Sequence, residues 1–315
     1  MAVLNTINGT SDGCGGGAAN TGELGCEIEF GLVIHGIGLT TGTIIPSTQD
    51  VDLDYINTLI QAGSAVPLMN AFSSEPTFAD DTVETSPLGV EALTLEGLPK
   101  FMLTMKKGQE YYKEVAKLTG FGNIEWILGD VNGNWKMAKN SLGNFKGFSS
   151  GQVNAMITTP ATATETEKKS ITFQLTDRNE YDSNYDVFLS STLFPISDVK
   201  GINGVNLSFA DTNGAVPPAD ADTTLKVKAV FASDNYTGIE GLLVANFLYT
   251  QAAATVVPSG VVDDGGGYYT LTVAAISSAE ALTLQNYDSS VNKNVVITAA
   301  GVLLRSNILL ATVTA

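Results

Sequence analysis

The sequence predicts a mostly β chain in two domains, the first of hairpin strands with an α-helix packed on a sheet and the second a sandwich of short strands. Three observations point there. Thr, Val, Ala, Asn and Gly abound, with 32 glycines among 315 residues, which is the composition of pleated strands joined by turns. Short alternating apolar runs recur along the length, and the clearest 3.6-residue period is confined to one segment. The texture changes near residue 198, where aromatic residues thin out and short apolar strands crowd together. A single core seldom grows beyond about 250 residues, so the boundaries fall at residues 1–197 and 198–315.

The first domain opens on a glycine-rich arm, CGGGAANTGELGC, whose Cys14 and Cys26 lack the further Cys and His of a zinc site and read as two free thiols, with a disulfide closing the loop as the alternative. EIEFGLVIHGIGL follows as one or two buried strands. DVDLDYINTLIQAG places Val51, Tyr55 and Leu59, with Ile56 and Ile60 beside them, on one side of a short helix ended by Gly63. FSSEPTFADDTVETSP, from Phe72 to Pro87, is acidic and broken by prolines, so it reads as a long exposed loop that in an assembly would reach a neighbour. GVEALTLEGLPKFMLTMKKG is strand, turn, strand.

QEYYKEVAKLTG is the clearest helix, with Tyr111, Val115 and Leu118 as its core stripe and Lys106–Glu110 and Glu114–Lys117 able to pair on its wet side. NIEWILGD and WKMA flank a turn. FKGFSSGQVNAMITTP and SITFQLTDRNEYD then read as long hairpin strands. In the second domain GVNLSF, TLKVKAVF, GLLVANFLY, YYTLTVAA, ALTLQNY, NVVITA and ILLATVT make seven short strands between turns. That spacing is the signature of an immunoglobulin-like sandwich, without the Cys and Trp markers of antibody domains.

Charge is unevenly spread. Residues 1–99 hold 13 Asp and Glu and no Lys or Arg, residues 100–199 hold 11 of each sign, and residues 200–315 hold 9 acids and 5 bases. A surface with no cation in its first third repels phosphate, because nucleic-acid affinity rests on Lys and Arg displacing counterions. The most apolar window, Phe30 to Ile45, is 16 residues long and interrupted by glycines, too short to span a bilayer. The start MAVLNTINGT lacks the features of a signal peptide, so the expectation is a soluble product of a cell's interior whose N-x-S/T triplets at Asn8, Asn206 and Asn235 are incidental.

No catalytic set emerges. GDVNGNWKM has Asp130, Asn132 and Asn134 on alternate positions, but the sixth residue is Trp135 where a calcium loop needs Gly, and the twelfth is Ser141 where it needs Glu. What remains is Asn132-Gly133 between apolar runs, the sign of a type I′ hairpin. The lone His35 sits in an apolar run and reads as a packed residue. GIGLTTG spaces its glycines wrongly for a dinucleotide loop. The expectation is no enzyme, no metal and no cofactor.

The stretch from about Leu98 to Asp182 contains GLPKFMLTMKKGQEYYKEVAKLTGFGNIEWILGDVNGNWKMA, GNFKGFSSGQVNAM and EKKSITFQLTDRNEYD. In this order of strand, helix, D-x-N-G-N hairpin and long strands it resembles the tail tube and related ring-forming virion proteins of phages and prophages of Bacteroidetes-type bacteria. The resemblance implies a tail-tube-like β-sandwich or barrel with an outer immunoglobulin-like domain. It implies homo-oligomeric, hexameric, stacked rings in a virion tail, made in the host bacterial cytoplasm. The partners are other tail proteins and genomic DNA that passes unbound, with no membrane. On this reading Glu75, Asp80, Asp81, Glu84, Glu91 and Glu96 lie on ring-stacking or lumen surfaces, and Asn132 and Gly133 tip a hairpin that projects to a neighbour. The alternatives are a head-to-tail connector or tail-terminator ring, a capsid-decorating protein, a carbohydrate-binding adhesin using the second sandwich, and, last, a hydrolase using paired acids.

Overall fold

The computed structural model describes residues 30–85, 91–120, 122, 124–191, 193–251, 254–277, 281–291, 293–298 and 300–313. The glycine-rich arm with Cys14 and Cys26 lies outside them. The chain is mostly β and divides into two compact units, Met1–Lys200 and Gly201–Ala315.

In the first unit the central hairpin is β7 (Ile124–Asp130) and β8 (Trp135–Lys139), flanked by β1 (Val33–Thr40) and β2 (Ala65–Leu68) on one side and β13 (Tyr185–Phe188) on the other. A second sheet runs β11 (Asn154–Ala155), β12 (Lys169–Gln174), β6 (Pro99–Met105), β3 (Ser73–Phe78). The two pack face to face: Trp126 of the first sheet stacks on Phe173 of the second at 4.4 Å between centroids, and Phe173 in turn on Phe101 at 5.6 Å. Gly36 and Gly38 make room, since a Cβ on Gly38 would come within 2.7 Å of Ile124 and 3.2 Å of Trp126. Both outer strands β2 and β3 contain a proline, Pro67 and Pro76, which removes a donor from an open edge.

Helix α1 (Leu53–Gln61) starts on the Asp52 side chain, which accepts from the Tyr55 N–H, and stops at Gly63 with φ 76°. There Ser64 N–H donates to Leu59 O and Gly63 N–H to Ile60 O, both carbonyls left over by the last turn. Its buried face is Ile56, Asn57 and Ile60 with Val51 ahead of it, while Tyr55 and Leu59 stay half-exposed, so the expected stripe is turned by one residue. Helix α2 (Gln109–Ala116) buries Tyr112 and Val115 in the sandwich core, with Tyr111 and Leu118 packed beside them. Glu114 does pair with Lys117, but Glu110 pairs with Lys113 in place of Lys106.

Two expected long strands are broken, each for a local reason. Residues 145–155 form β9 (Phe145–Lys146) on β8, then β10 (Phe148–Ser149) on β7, then β11 on β12. The step falls at Gly147, whose missing Cβ would sit 2.5 Å from the Glu125 carbonyl oxygen. Strand β12 ends at Gln174 because Asp177 caps a short helix α3 (Arg178–Asp182), accepting from the N–H groups of Asn179 and Glu180.

The Asp130 turn is a three-residue loop of a different kind from the expected type I′. Gly133 N–H donates to Asp130 O, so Val131 and Asn132 are the central pair, and Gly133, with φ 80°, forms the bulge that follows. The buried Asp130 carboxylate accepts four N–H groups, from Gly31, Asn132 and Asn134 backbone and the Asn134 side chain, at 2.8–2.9 Å. Its lone pairs are spent on the turn itself. Asn140 to Asn144 repeats the geometry, with Gly143 N–H on Asn140 O and φ 76° at Gly143.

The second unit has one sheet ordered β19 (Gly260–Gly265), β20 (Tyr268–Thr272), β16 (Thr224–Phe231), β14 (Asn203–Asp211). The facing sheet is ordered β18 (Ala254–Val256), β17 (Phe247–Gln251), β21 (Ala281–Asn286), β24 (Leu309–Thr312). These are the D-E-B-A and C′-C-F-G orders of an immunoglobulin-like sandwich. An inserted hairpin of β22 (Val296–Ile297) and β23 (Leu303–Ser306) adds to the first sheet through a parallel β14–β23 pairing, and β15 (Gly214–Ala215) folds back on β14. Tyr269 anchors the core, packing on Phe247 and donating its hydroxyl to Ile239 O at 2.6 Å.

Candidate functional site

The acidic stretch expected as a loop is a β-arm. Strand β3 pairs with β6 from Ser73↔Thr104 to Phe78↔Pro99. After bends at residues 79–81 and 96–98 the same two chain directions continue as β4 (Thr82–Thr85) and β5 (Glu91–Leu95), paired from Thr82↔Leu95 to Thr85↔Glu91. The inner halves of β3 and β6 belong to the sandwich. The outer half of β3 leaves it, with every residue from Glu75 to Thr85 exposed, including Phe78 at 57% and Val83 at 48%, while β6 stays paired to β12 as far as Lys100 with Phe101 buried.

The foot of the arm is built by two residues with no expectation attached. Gly97 passes so close to the opposite chain that a Cβ would fall 1.8 Å from Ala79 O, and its N–H donates to Asp81 Oδ1 at 2.8 Å. Arg178, first residue of α3, sets one guanidinium nitrogen on both oxygens of Asp81 at 2.7 and 2.9 Å and its Nε on Asp182 at 3.0 Å. The Arg178 hydrogen bond, followed by the Gly97 N–H, holds the Asp81 carboxyl below the usual range. Between these groups, Phe78 and Pro99 lies a shallow recess of about 300 Å³. The one available signal was that Arg178 is the only arginine before Arg305.

Helix α3 is itself tied down. Glu180 accepts from Ser149 N–H at 2.7 Å, Ser149 Oγ at 3.0 Å and Lys146 Nζ at 2.5 Å, and Lys146 lies 3.8 Å from the buried Glu125. Burial pushes the Glu125 carboxyl up, with the Lys146 charge opposing. On the neighbouring face Lys136, 7% exposed, points its ammonium at the rings of Tyr181 (3.6 Å) and Tyr185 (3.9 Å) and donates to Tyr181 O at 3.2 Å. Burial pushes this lysine down to about 8, with the Asp182 charge opposing.

The structure brings Glu75, Asp80, Asp81, Glu84, Glu91 and Glu96 together on the arm, all exposed but Asp81 committed to Arg178. It does not bring Asn132 and Gly133 there. They sit on the β7–β8 turn, where Asn132 is exposed but Gly133 is buried. A Cβ on Gly133 would meet Pro195 at 3.1 Å, and its carbonyl accepts from Ile196 N–H. Gly133 is thus packed against its own chain, while Val131 and Asn132 of the same turn stay exposed. His35 is a packed residue with its Nδ1 accepting from Asn70 N–H at 3.1 Å, and burial lowers its basicity. Among the described residues no group of three or more His, Cys, Asp and Glu is placed to hold a metal ion, and no helix is long and apolar enough to cross a membrane.

No protein-family profile and no curated protein matches the chain. Among solved structures, the Bacteroides ovatus mixed-linkage glucan utilization locus protein SGBP-B, in complex with a mixed-linkage heptasaccharide, is similar at 11% identity. The match covers 90% of this chain and 60% of that one, with a TM-score of 0.20, below the level of a shared fold.

Proposed function

We propose that this chain is a structural subunit that assembles with copies of itself into stacked rings, as a tail-tube-type component of a virion. The observation that carries the reading is the arm. An isolated two-stranded ribbon is marginal in water, and this one exposes Phe78 and Val83 while Gly97, Asp81 and Arg178 hold its foot in place. A fixed foot beneath a ribbon whose β4 side chains all face solvent is the construction of a segment whose partner is another molecule.

The resemblance of residues 98–182 to tail tube proteins supports hexameric rings in the tail, assembled with other tail proteins after synthesis in the host bacterial cytoplasm. The absence of any Lys or Arg among the acids before Lys100 supports passage of genomic DNA without binding, since like charges keep phosphate off the wall. The second sandwich is then an outer domain. The test is sedimentation velocity and negative-stain imaging of the purified chain at rising concentration. Rings or tubes are expected; a species that stays monomeric at the highest concentration reached overturns the proposal.

A further inference from the structure

We infer that assembly is head to tail, with the acidic arm of one copy docking on the lysine-bearing opposite end of the next copy's first sandwich, around Phe72, Lys106, Lys107 and Lys200. This rests on the self-assembly reading and names its contact. Strands β3 and β6 run the length of their sheet. The arm leaves from their Phe78↔Pro99 end, and their Ser73↔Thr104 end is the far pole.

The two poles differ in sign. Residues 79–98 hold Asp80, Asp81, Glu84, Glu91 and Glu96 and no Lys or Arg. At the far pole Phe72 is 63% exposed, with Lys106 Nζ lying 3.5 Å over its ring. Lys107 follows, exposed, with Lys200 near enough to add to the effect of desolvation in pushing its ammonium down. Of the acids of that pole, Glu110 pairs with Lys113, Glu114 with Lys117 and Glu165 with Lys168, Lys106 acting on Glu165 only at longer range, and Glu167 accepts from the Gln109 side-chain amide. Among the described residues Lys106, Lys107 and Lys200 form no ion pair with a carboxylate.

An arm cannot reach its own lysines. Six register pairs separate the poles, which at the rise of a strand is about 17 Å, and the arm points away from them. Only a second copy can bring them together. Because the two surfaces are different patches of one molecule, the contact is heterologous, and each copy still offers a free arm or pole to the next, so that copies join in an open stack unless the rotation closes them into a ring. An exposed aromatic beneath a lysine gives the ribbon's Val83 and Phe78 something to cover, and the acid–lysine pairs set polarity and register.

The experiment uses the full chain with two charge reversals, Glu84→Lys with Glu91→Lys on the arm, and Lys106→Glu with Lys107→Glu on the far pole. All four positions are on the surface, and unchanged circular dichroism and melting confirm folding. Sedimentation velocity and negative-stain imaging at about 0.15 M salt, where the screening length is about 8 Å, read each variant alone and the two mixed equally. Each alone should need at least ten-fold more protein to assemble, and the mixture should assemble as the wild type does, because each reversed arm meets a reversed pole. If the wild type assembles and either reversal alone does too, or the mixture stays apart, the head-to-tail contact is overturned and the assembly reading survives. If the wild type never assembles, both fall.

Discussion

Strands β3 and β6 are one pair of chains leading two lives. Along its length β6 carries Phe101, Leu103 and Met105 into the core. Beyond Phe78↔Pro99 the same ribbon runs out as β4 and β5 with its β4 side chains in solvent. The body is held by burial of large side chains, worth about 25 cal/mol per Å² removed from water. The β4 side chains of the arm are all exposed, and its foot is held by backbone pairing, one glycine and one arginine. Stability belongs to the first region and contact with other molecules to the second, so changes in the two should separate cleanly.

The largest effect belongs to the body. Phe173→Ala removes the ring between Trp126 and Phe101, all three buried, and should cost about 3–5 kcal/mol in denaturant unfolding of the first unit. Leaving the arm's own changes at under about 0.5 kcal/mol is the other half of that prediction. Val83→Ser on β4 is the matched control, and an equal loss from both would end the comparison.

Next comes Lys136. Its ammonium is pushed down to about 8 in the fold from an unfolded value of 10.5. Below the lower value both states are protonated and the burial penalty is present in full. Between the two the unfolded chain binds more protons, so stability must rise with pH, by about 2 kcal/mol from pH 7.5 to 10. Lys136→Met, which keeps the stem between Tyr181 and Tyr185, should flatten that rise. A wild type with no rise would place the ammonium in water.

Much of the body was legible because its strands have one wet and one dry face, or are buried on both. The arm was not. In Glu75-Pro76-Thr77-Phe78 and Thr82-Val83-Glu84-Thr85 both faces are exposed, so the two-residue alternation that marks a strand has nothing to write it, and the prolines read as a loop. The immunoglobulin-like sandwich showed itself through seven apolar runs, but β19, Val261-Val262-Asp263-Asp264, was hidden among glycines and acids, as an edge strand often is. Asn132-Gly133 signals a tight turn equally for two loop types; the choice is made by Asp130, which gathers the N–H groups of Asn132 and Asn134. That Gly133 is covered depends on Pro195, a contact no local pattern carries.

A smaller and more selective effect is expected at the foot of the arm. Gly97→Ala puts a methyl where Ala79 O stands, so β4 and β5 must separate from their present path while Phe101 and Phe173 keep theirs. Unfolding of the body should move by less than about 1 kcal/mol, yet amide protection of the arm should fall and assembly with it. Loss of the whole fold would show that arm and body are not separable.

The smallest effect sharpens the comparison most, because it touches only an exposed ion pair. Asp81 is held below the usual carboxylate range, first by Arg178 and then by the Gly97 N–H. A depressed carboxyl contributes its stabilisation above the unfolded value of 3.8 and loses it as pH falls through the lower folded value. The protection factor of the Gly97 amide, which donates to Asp81, should therefore stay level from neutral pH to below that unfolded value and drop only under it. Arg178→Ala removes the larger of the two causes, so the drop should be smaller and finish at higher pH, near the ordinary range, while the Trp126–Phe173 core is indifferent. If Gly97 protection in the variant follows the wild-type curve, the arginine is a bystander, and the foot is held by the glycine's close approach alone.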